Sequence, residues 1–193
     1  MNIANKLTLL RIALIPVFML LVMLPLDWGQ LTLLGATIPV AQLCGAVVFV
    51  VASITDYLDG YLARKYHLVT SFGAFFDPMA DKLLVLAAFI LLVEQGRIPG
   101  WIVIIIISRE LMVTGLRVLV VQHGGEIMAA APPGKIKTFS QMLAIIFYLL
   151  NDIGFAVIGI PFATMMLYLC LFFTIYSGVD YFYHSRFIWN STN

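Results

Sequence analysis

Six long apolar runs, separated by short polar stretches, organise the chain. The first follows NIANKLTLLR (2–11) and continues to about Leu26, with Pro16 placed to kink it. The second runs from about Pro39 to Arg64 and is apolar until its last turns. The third starts between Ser71 and Asp77 and ends near Glu94. Pro78 close to that start is tolerated, because the first N–H groups of a helix lack partners anyway. The fourth run spans Trp101 to about Val121, the fifth about Ile136 to Leu150, and the sixth about Phe162 to Tyr183. Between them lie DWGQLTLLGATI (27–38), read as a loop without Lys or Arg, and the turn EQGRIPG (94–100). The long polar loop 122–137 and the turn NDIGFAVIGIP (151–161) follow, and HSRFIWNSTN (184–193) is a polar tail. A spanning helix takes ~20 mostly apolar residues. The pattern therefore predicts an all-α integral membrane protein of six transmembrane helices in a single domain, residues 1–193. Lys6 and Arg11 ahead of an apolar run imitate a secretory signal, but no convincing small-residue cleavage site follows, so the run is read as the first span.

Composition agrees with that reading. The chain is 62% hydrophobic and 11% charged, against about 25% charged residues in a soluble domain. A net charge of +1 gives no basic surface for nucleic acid. Cys44 and Cys170 sit far apart in apolar runs and read as reduced core residues. Lys6, Arg11, Arg64, Lys65, Lys82, Arg117, Lys135, Lys137 and Arg186 fall at or near one side of the six-span arrangement, Arg97 falls on the other, and Arg109 is mid-span. The bias of basic residues toward the cytoplasm then puts both termini there.

The chemistry concentrates at 56–81, DYLDGYLARKYHLVTSFGAFFDPMAD. Ionisable groups at membrane depth are costly and mark function by default. Asp56 and Asp59 are three residues apart and Asp77 and Asp81 four apart, so each pair shares one helix face. Two antiparallel helices joined between them bring the pairs together. Four carboxylates packed without cations resist ionisation, and hard divalent ions such as Mg²⁺ or Mn²⁺ resolve the repulsion. A solvated acidic face, with an Asp capping a helix ahead of Pro78, is the plainer explanation of either pair alone. It does not explain all four acids together with Gly60, Gly73 and Arg64. The orientation sets the acids at the cytoplasmic ends of spans two and three, where a lipid headgroup meets a cytosolic substrate.

The same stretch resembles the signature D-x2-D-G-x2-A-R-x8-G-x3-D-x3-D of the CDP-alcohol phosphotransferase family. All eight fixed positions are met, by Asp56, Asp59, Gly60, Ala63, Arg64, Gly73, Asp77 and Asp81. The resemblance implies a membrane enzyme that joins an alcohol to the phosphatidyl group of CDP-diacylglycerol and releases CMP. It implies two divalent ions, Mg²⁺ or Mn²⁺, held by Asp56, Asp59, Asp77 and Asp81, with Asp81 as the base that takes the alcohol proton. CDP-diacylglycerol then lies against Asp56, Gly60, Arg64, Gly73 and Thr70 or Ser71, with Asn5 also near the nucleotide. Asn5, Thr8 and Arg11 recur every three residues and share a face; an interfacial helix with a capping Asn and snorkelling basic residues accounts for them equally well. A bacterial multi-pass plasma-membrane location and a homodimer are further implications.

A second basic group bears on the acceptor. Arg109 and Arg117 lie eight residues apart on span four, and Lys135 and Lys137 open span five. Arginine forks suit a phosphate dianion, so the acceptor is expected to carry a phosphate bound by these four residues. The alternative is structural: Glu110 and Arg117 pair along the helix, and Lys137 snorkels. ISRELMVTGLR (107–117) and GKIKTFSQM (134–142) resemble the matching stretches of bacterial family members that use sn-glycerol 3-phosphate, attacking through its 1-hydroxyl. Inositol phosphate, serine and phosphatidylglycerol are the other acceptors open within the family. A divalent-cation transporter and a charge-braced scaffold are the readings from other classes. The interfacial placement of the acids and the lack of a visible inverted repeat count against transport.

Overall fold

The computed structural model describes residues 3–65, 71–122 and 132–184, without the side chains of 3–8, 56–65, 71–78, 81, 118, 121 and 122. Among the described residues are six α-helices: α1 (Ile3–Met23), α2 (Val40–Lys65), α3 (Ser71–Glu94), α4 (Gly100–Gln122), α5 (Pro132–Leu149) and α6 (Phe162–His184). A hairpin of β1 (Gln30–Leu33) and β2 (Ala36–Pro39) joins α1 to α2, and one 3-10 turn, Ala156–Ile158, lies between α5 and α6. The chain is mostly helical, as the apolar runs predict, and the hairpin is the departure from all-α. At 1.5 Å per residue, the shortest helix, α5 with 18 residues, is ~27 Å long. Among the described residues α6 alone is, by itself, both long and apolar enough to cross a membrane; Leu9–Met23 and Val40–Thr55 are shorter apolar stretches. Charge is what sets α4 apart, through Arg109, Glu110 and Arg117, while α5 opens on the polar run Pro132–Lys137.

One helix start differs from the sequence expectation. α5 begins at Pro132, four residues before Ile136, so the last third of the expected long loop is helix. Two prolines fit there because the opening turn needs no N–H from them. α3 begins at Ser71, at the early end of the expected range, which sets Pro78 two turns into the helix. Its missing N–H is thus lost from a helix interior.

The backbone forms two compact units, one of Met1–Arg97 with Ile145–Phe162, the other of Ile98–Ala144 with Ala163–Asn193. In the first unit α1 packs on α2 and α3. Phe18 and Phe49 meet at 5.8 Å between ring centroids, and Leu84, Ala88, Phe89 and Leu92 complete a buried core. Gly45 permits the close approach, since a Cβ there would stand 2.6 Å from Val22 Cγ2. Gln95 Nε2 donates to the Val22 carbonyl at 3.2 Å and fixes the end of α1 against α3.

The hairpin replaces the loop expected at 27–38. Its register pairs Leu33 with Ala36 and Gln30 with Pro39. The linking pair Leu34 and Gly35 both have positive φ, 45° and 79°, the geometry of the two-residue turn that matches strand twist. Gly35 is required twice over, because a Cβ there would also stand 2.7 Å from Val157 Cγ2. Four-residue strands are too short to show a period of two, and much of their support is distant. The Leu34 carbonyl accepts from Gly154 N at 3.2 Å, and the Thr37 carbonyl accepts from Asn151 Nδ2 at 2.6 Å.

Arg97 gathers the same end of this unit. Its guanidinium donates to the Tyr148 carbonyl, to Asn151 Oδ1 at 2.7 Å and to Gln42 Oε1 at 3.1 Å. Gln42 Nε2 in turn donates to the Leu149 carbonyl at 2.8 Å. Burial pushes the Arg97 guanidinium below its ordinary pKa, and the ring of acceptors offsets that desolvation. Gln42 opens α2 and Asp56 comes fourteen residues later, so the Arg97 network and the aspartate stretch lie ~21 Å apart along one helix.

In the second unit Val113 and Leu116 of α4 meet Tyr181 of α6 in a buried cluster. Both cysteines are free, as expected from their spacing.

Candidate active site and acceptor-binding residues

The aspartate stretch falls on two helices and the short connection between them. Asp56, Asp59, Gly60 and Arg64 lie in the last turns of α2; Gly73, Asp77 and Asp81 lie in the first turns of α3. The helix periods expected from the sequence are therefore real, and each acid pair occupies one face of its helix. Thr70, in the connection 66–70, lies outside the described residues, as do the side chains of Asn5, Asp56, Asp59, Arg64, Asp77 and Asp81. Carboxylates are oxygen donors of the kind that Mg²⁺ and Mn²⁺ prefer. The donor chemistry of these residues fits divalent ions.

Arg11 shares the face of Asn5 and Thr8 on α1. Its side chain is fully buried. It is not a snorkelling interfacial residue, and a buried guanidinium in an apolar helix is costly enough to mark a role.

The basic residues of the second unit have separate partners. Lys137, expected either to bind phosphate or to snorkel, is buried and ion-paired with Glu110. The expected pairing of Glu110 with Arg117 along α4 is thus replaced by a contact between α4 and α5. Arg117 instead lies over the Tyr181 ring, its guanidinium carbon 5.5 Å from the centroid, within cation–π range. Arg109 donates from Nη2 to Ser177 Oγ at 2.8 Å. Ser177 is itself held by a hydrogen bond to the Phe173 carbonyl one turn back. Lys135 is exposed. Sequence reasoning named the four basic residues and missed Ser177, Gly178 and Tyr181, although a Ser-Gly pair inside an apolar helix was a visible signal.

Residues 1–176 match the CDP-alcohol phosphatidyltransferase family. The chain belongs to that family. Its members are membrane enzymes, and the match covers the aspartate stretch, α4 and α5 entirely. A CDP-diacylglycerol–glycerol-3-phosphate 3-phosphatidyltransferase of Bacillus subtilis (strain 168) is 53% identical over 181 residues, covering 94% of this chain and 93% of that one. Proteins of the same name from Rickettsia bellii (strain RML369-C) and Sodalis glossinidius (strain morsitans) are 39% and 38% identical. They cover 94% and 96% of this chain and 93% and 96% of their own lengths. The matched residues include the signature at 56–81.

Proposed function

We propose that this family member transfers the phosphatidyl group of CDP-diacylglycerol to sn-glycerol 3-phosphate, giving phosphatidylglycerophosphate and CMP. The observation that carries the reading is 53% identity, over nearly the whole chain, to a relative whose name states that reaction. The complete eight-residue signature at the adjoining ends of α2 and α3 supports it.

Asp56, Asp59, Asp77 and Asp81 would hold two divalent ions, Mg²⁺ or Mn²⁺. Bound there, the ions supply charge neutralisation at the pyrophosphate. Arg64 binds the CDP phosphates. Gly60 and Gly73 leave room for the nucleotide beside the backbone, and Asn5 and Thr70 add polar contacts. Asp81 takes the proton from the 1-hydroxyl of glycerol 3-phosphate. That oxygen forms its bond to the phosphorus bearing diacylglycerol as the bond to the CMP oxygen breaks, in a direct displacement. Arg109 and Arg117, with Lys135 and Lys137, receive the phosphate of the acceptor.

The same reading makes residues 1–193 a single catalytic domain with six membrane-crossing helices. Both termini and the aspartate stretch face the cytoplasm of a bacterial plasma membrane, and the chain forms a homodimer. Helix lengths near a bilayer's thickness and the distribution of Lys and Arg support the topology.

Purified protein in detergent micelles, given CDP-diacylglycerol, labelled glycerol 3-phosphate and Mg²⁺ or Mn²⁺, tests it. CMP release with label entering lipid, lost on chelation, is the expected result. CMP release with another alcohol but not with glycerol 3-phosphate overturns the acceptor. No CMP release from folded protein with any alcohol overturns the reaction. Cysteine labelling from either side of sealed vesicles checks the termini, and light scattering checks the dimer.

A further inference from the structure

We propose that Ser177, Gly178 and Tyr181 of α6 are positioning residues that converge Arg109 and Arg117 on the acceptor's phosphate. The inference rests on the acceptor reading above and deepens it. Arg109 and Arg117 are eight residues apart, so their Cα atoms stand ~12 Å from each other along α4. A phosphate dianion is far smaller than that span. The contact points on α6 are closer together: Ser177 and Tyr181 are four residues apart, one turn, or ~6 Å along the axis. Ser177 Oγ accepts from Arg109 Nη2 at 2.8 Å, and the Tyr181 ring lies 5.5 Å from the Arg117 guanidinium carbon. The α6 face thus draws two like-charged forks toward one another.

Gly178 makes the approach possible. A Cβ there would stand 3.2 Å from Arg109 Cγ and 3.9 Å from its Nε, so the arginine stem runs directly over a residue without a side chain. With Nη2 committed to Ser177, Arg109 Nε is a buried donor with no hydrogen-bond partner among the described residues. A buried donor left unmade is costly, and an anion's oxygen satisfies it. Ser177 and Tyr181 are both buried, so their geometry is set by packing before any substrate arrives, which is how a site holds two cations ready for a dianion.

The experiment measures KM for glycerol 3-phosphate and for CDP-diacylglycerol separately in Ser177→Ala, Ser177→Thr, Tyr181→Leu and Tyr181→Phe. Ser177→Ala is expected to raise KM for glycerol 3-phosphate about ten-fold, the scale of one hydrogen bond to a charged group, and Tyr181→Leu about five-fold, the scale of a cation–π contact, with KM for CDP-diacylglycerol unchanged. Ser177→Thr keeps the hydroxyl, Tyr181→Phe keeps the ring, and both are expected to stay near wild type. Should Ser177→Ala not fold, Gly178→Ala reads the same contact by displacing the Arg109 stem, with the same split expected. An unchanged KM, a joint rise for both substrates, or Ser177→Thr failing as badly as Ser177→Ala overturns the inference while wild-type turnover of glycerol 3-phosphate stands. Wild type that ignores glycerol 3-phosphate overturns the acceptor reading itself, and this inference with it.

Discussion

Arg97 donates to Asn151 Oδ1 at 2.7 Å, tying the turn after α3 to the turn after α5 across 54 residues of sequence. Asn151 passes the connection on to the Thr37 carbonyl of β2, and Gln42 brings in the start of α2. One cation therefore organises four chain segments at the end of the unit remote from the aspartates. Arg97→Met removes the donor and strands the Tyr148 carbonyl, Asn151 and Gln42. The expected cost is about 2 kcal/mol, typical of a hydrogen bond to a charged group. That should lower the midpoint of heat unfolding in detergent by about 5 °C. KM for both substrates should not move. An unaltered midpoint would show the network to be passive.

At Gly35 two demands coincide, positive φ and contact with Val157. Gly35→Ala should destabilise by about 1–3 kcal/mol from backbone strain and crowding together. Val157→Ala removes the atom that the new Cβ would strike. The double variant should recover part of the loss, and the part that remains is the strain. Strictly additive losses would mean that the two positions do not touch.

Glu110 and Lys137 separate structure from function. Glu110→Gln removes the carboxylate beside the buried Lys137, and Lys137→Gln removes the cation beside a partly exposed Glu110. Glu110→Gln should cost more than Lys137→Gln, because Lys137 is buried and Glu110 partly exposed, and the double change less than Glu110→Gln alone, because the charges of the pair are both gone. If Lys137 also binds the acceptor, the double variant should be stable yet weak toward glycerol 3-phosphate. Urea unfolding beside acceptor KM distinguishes the two contributions; full activity in the double variant would confine Lys137 to a structural part.

Asp81→Asn tests the base. The change keeps the side chain's size and removes its proton affinity. CMP release should fall by about 100- to 10,000-fold, the usual worth of a general base, with helix content retained in circular dichroism. A ten-fold loss or less would assign proton removal to another group. Asp56→Asn should instead raise the Mg²⁺ or Mn²⁺ concentration needed for half-maximal rate.

The sequence alone determined the six helices, the family signature and the placement of its acids at the ends of α2 and α3. Apolar length and charge spacing are local properties, and a membrane chain has few charges to confuse them. Arg109 and Arg117 were legible for the same reason, since each stands out against an apolar run, and Lys135 and Lys137 because they lead into one. Their partners were not. Lys137 finds Glu110 at a separation of 27 residues and Arg109 finds Ser177 at 68, and no periodicity within one helix encodes a choice between helices. The hairpin also waited on tertiary structure, because strands of four residues are held as much by Asn151 and Gly154 as by their own pattern. Burying an ionisable group forces it to take whichever partner the packing brings near, so the pairing belongs to the folded chain rather than to the order of its residues.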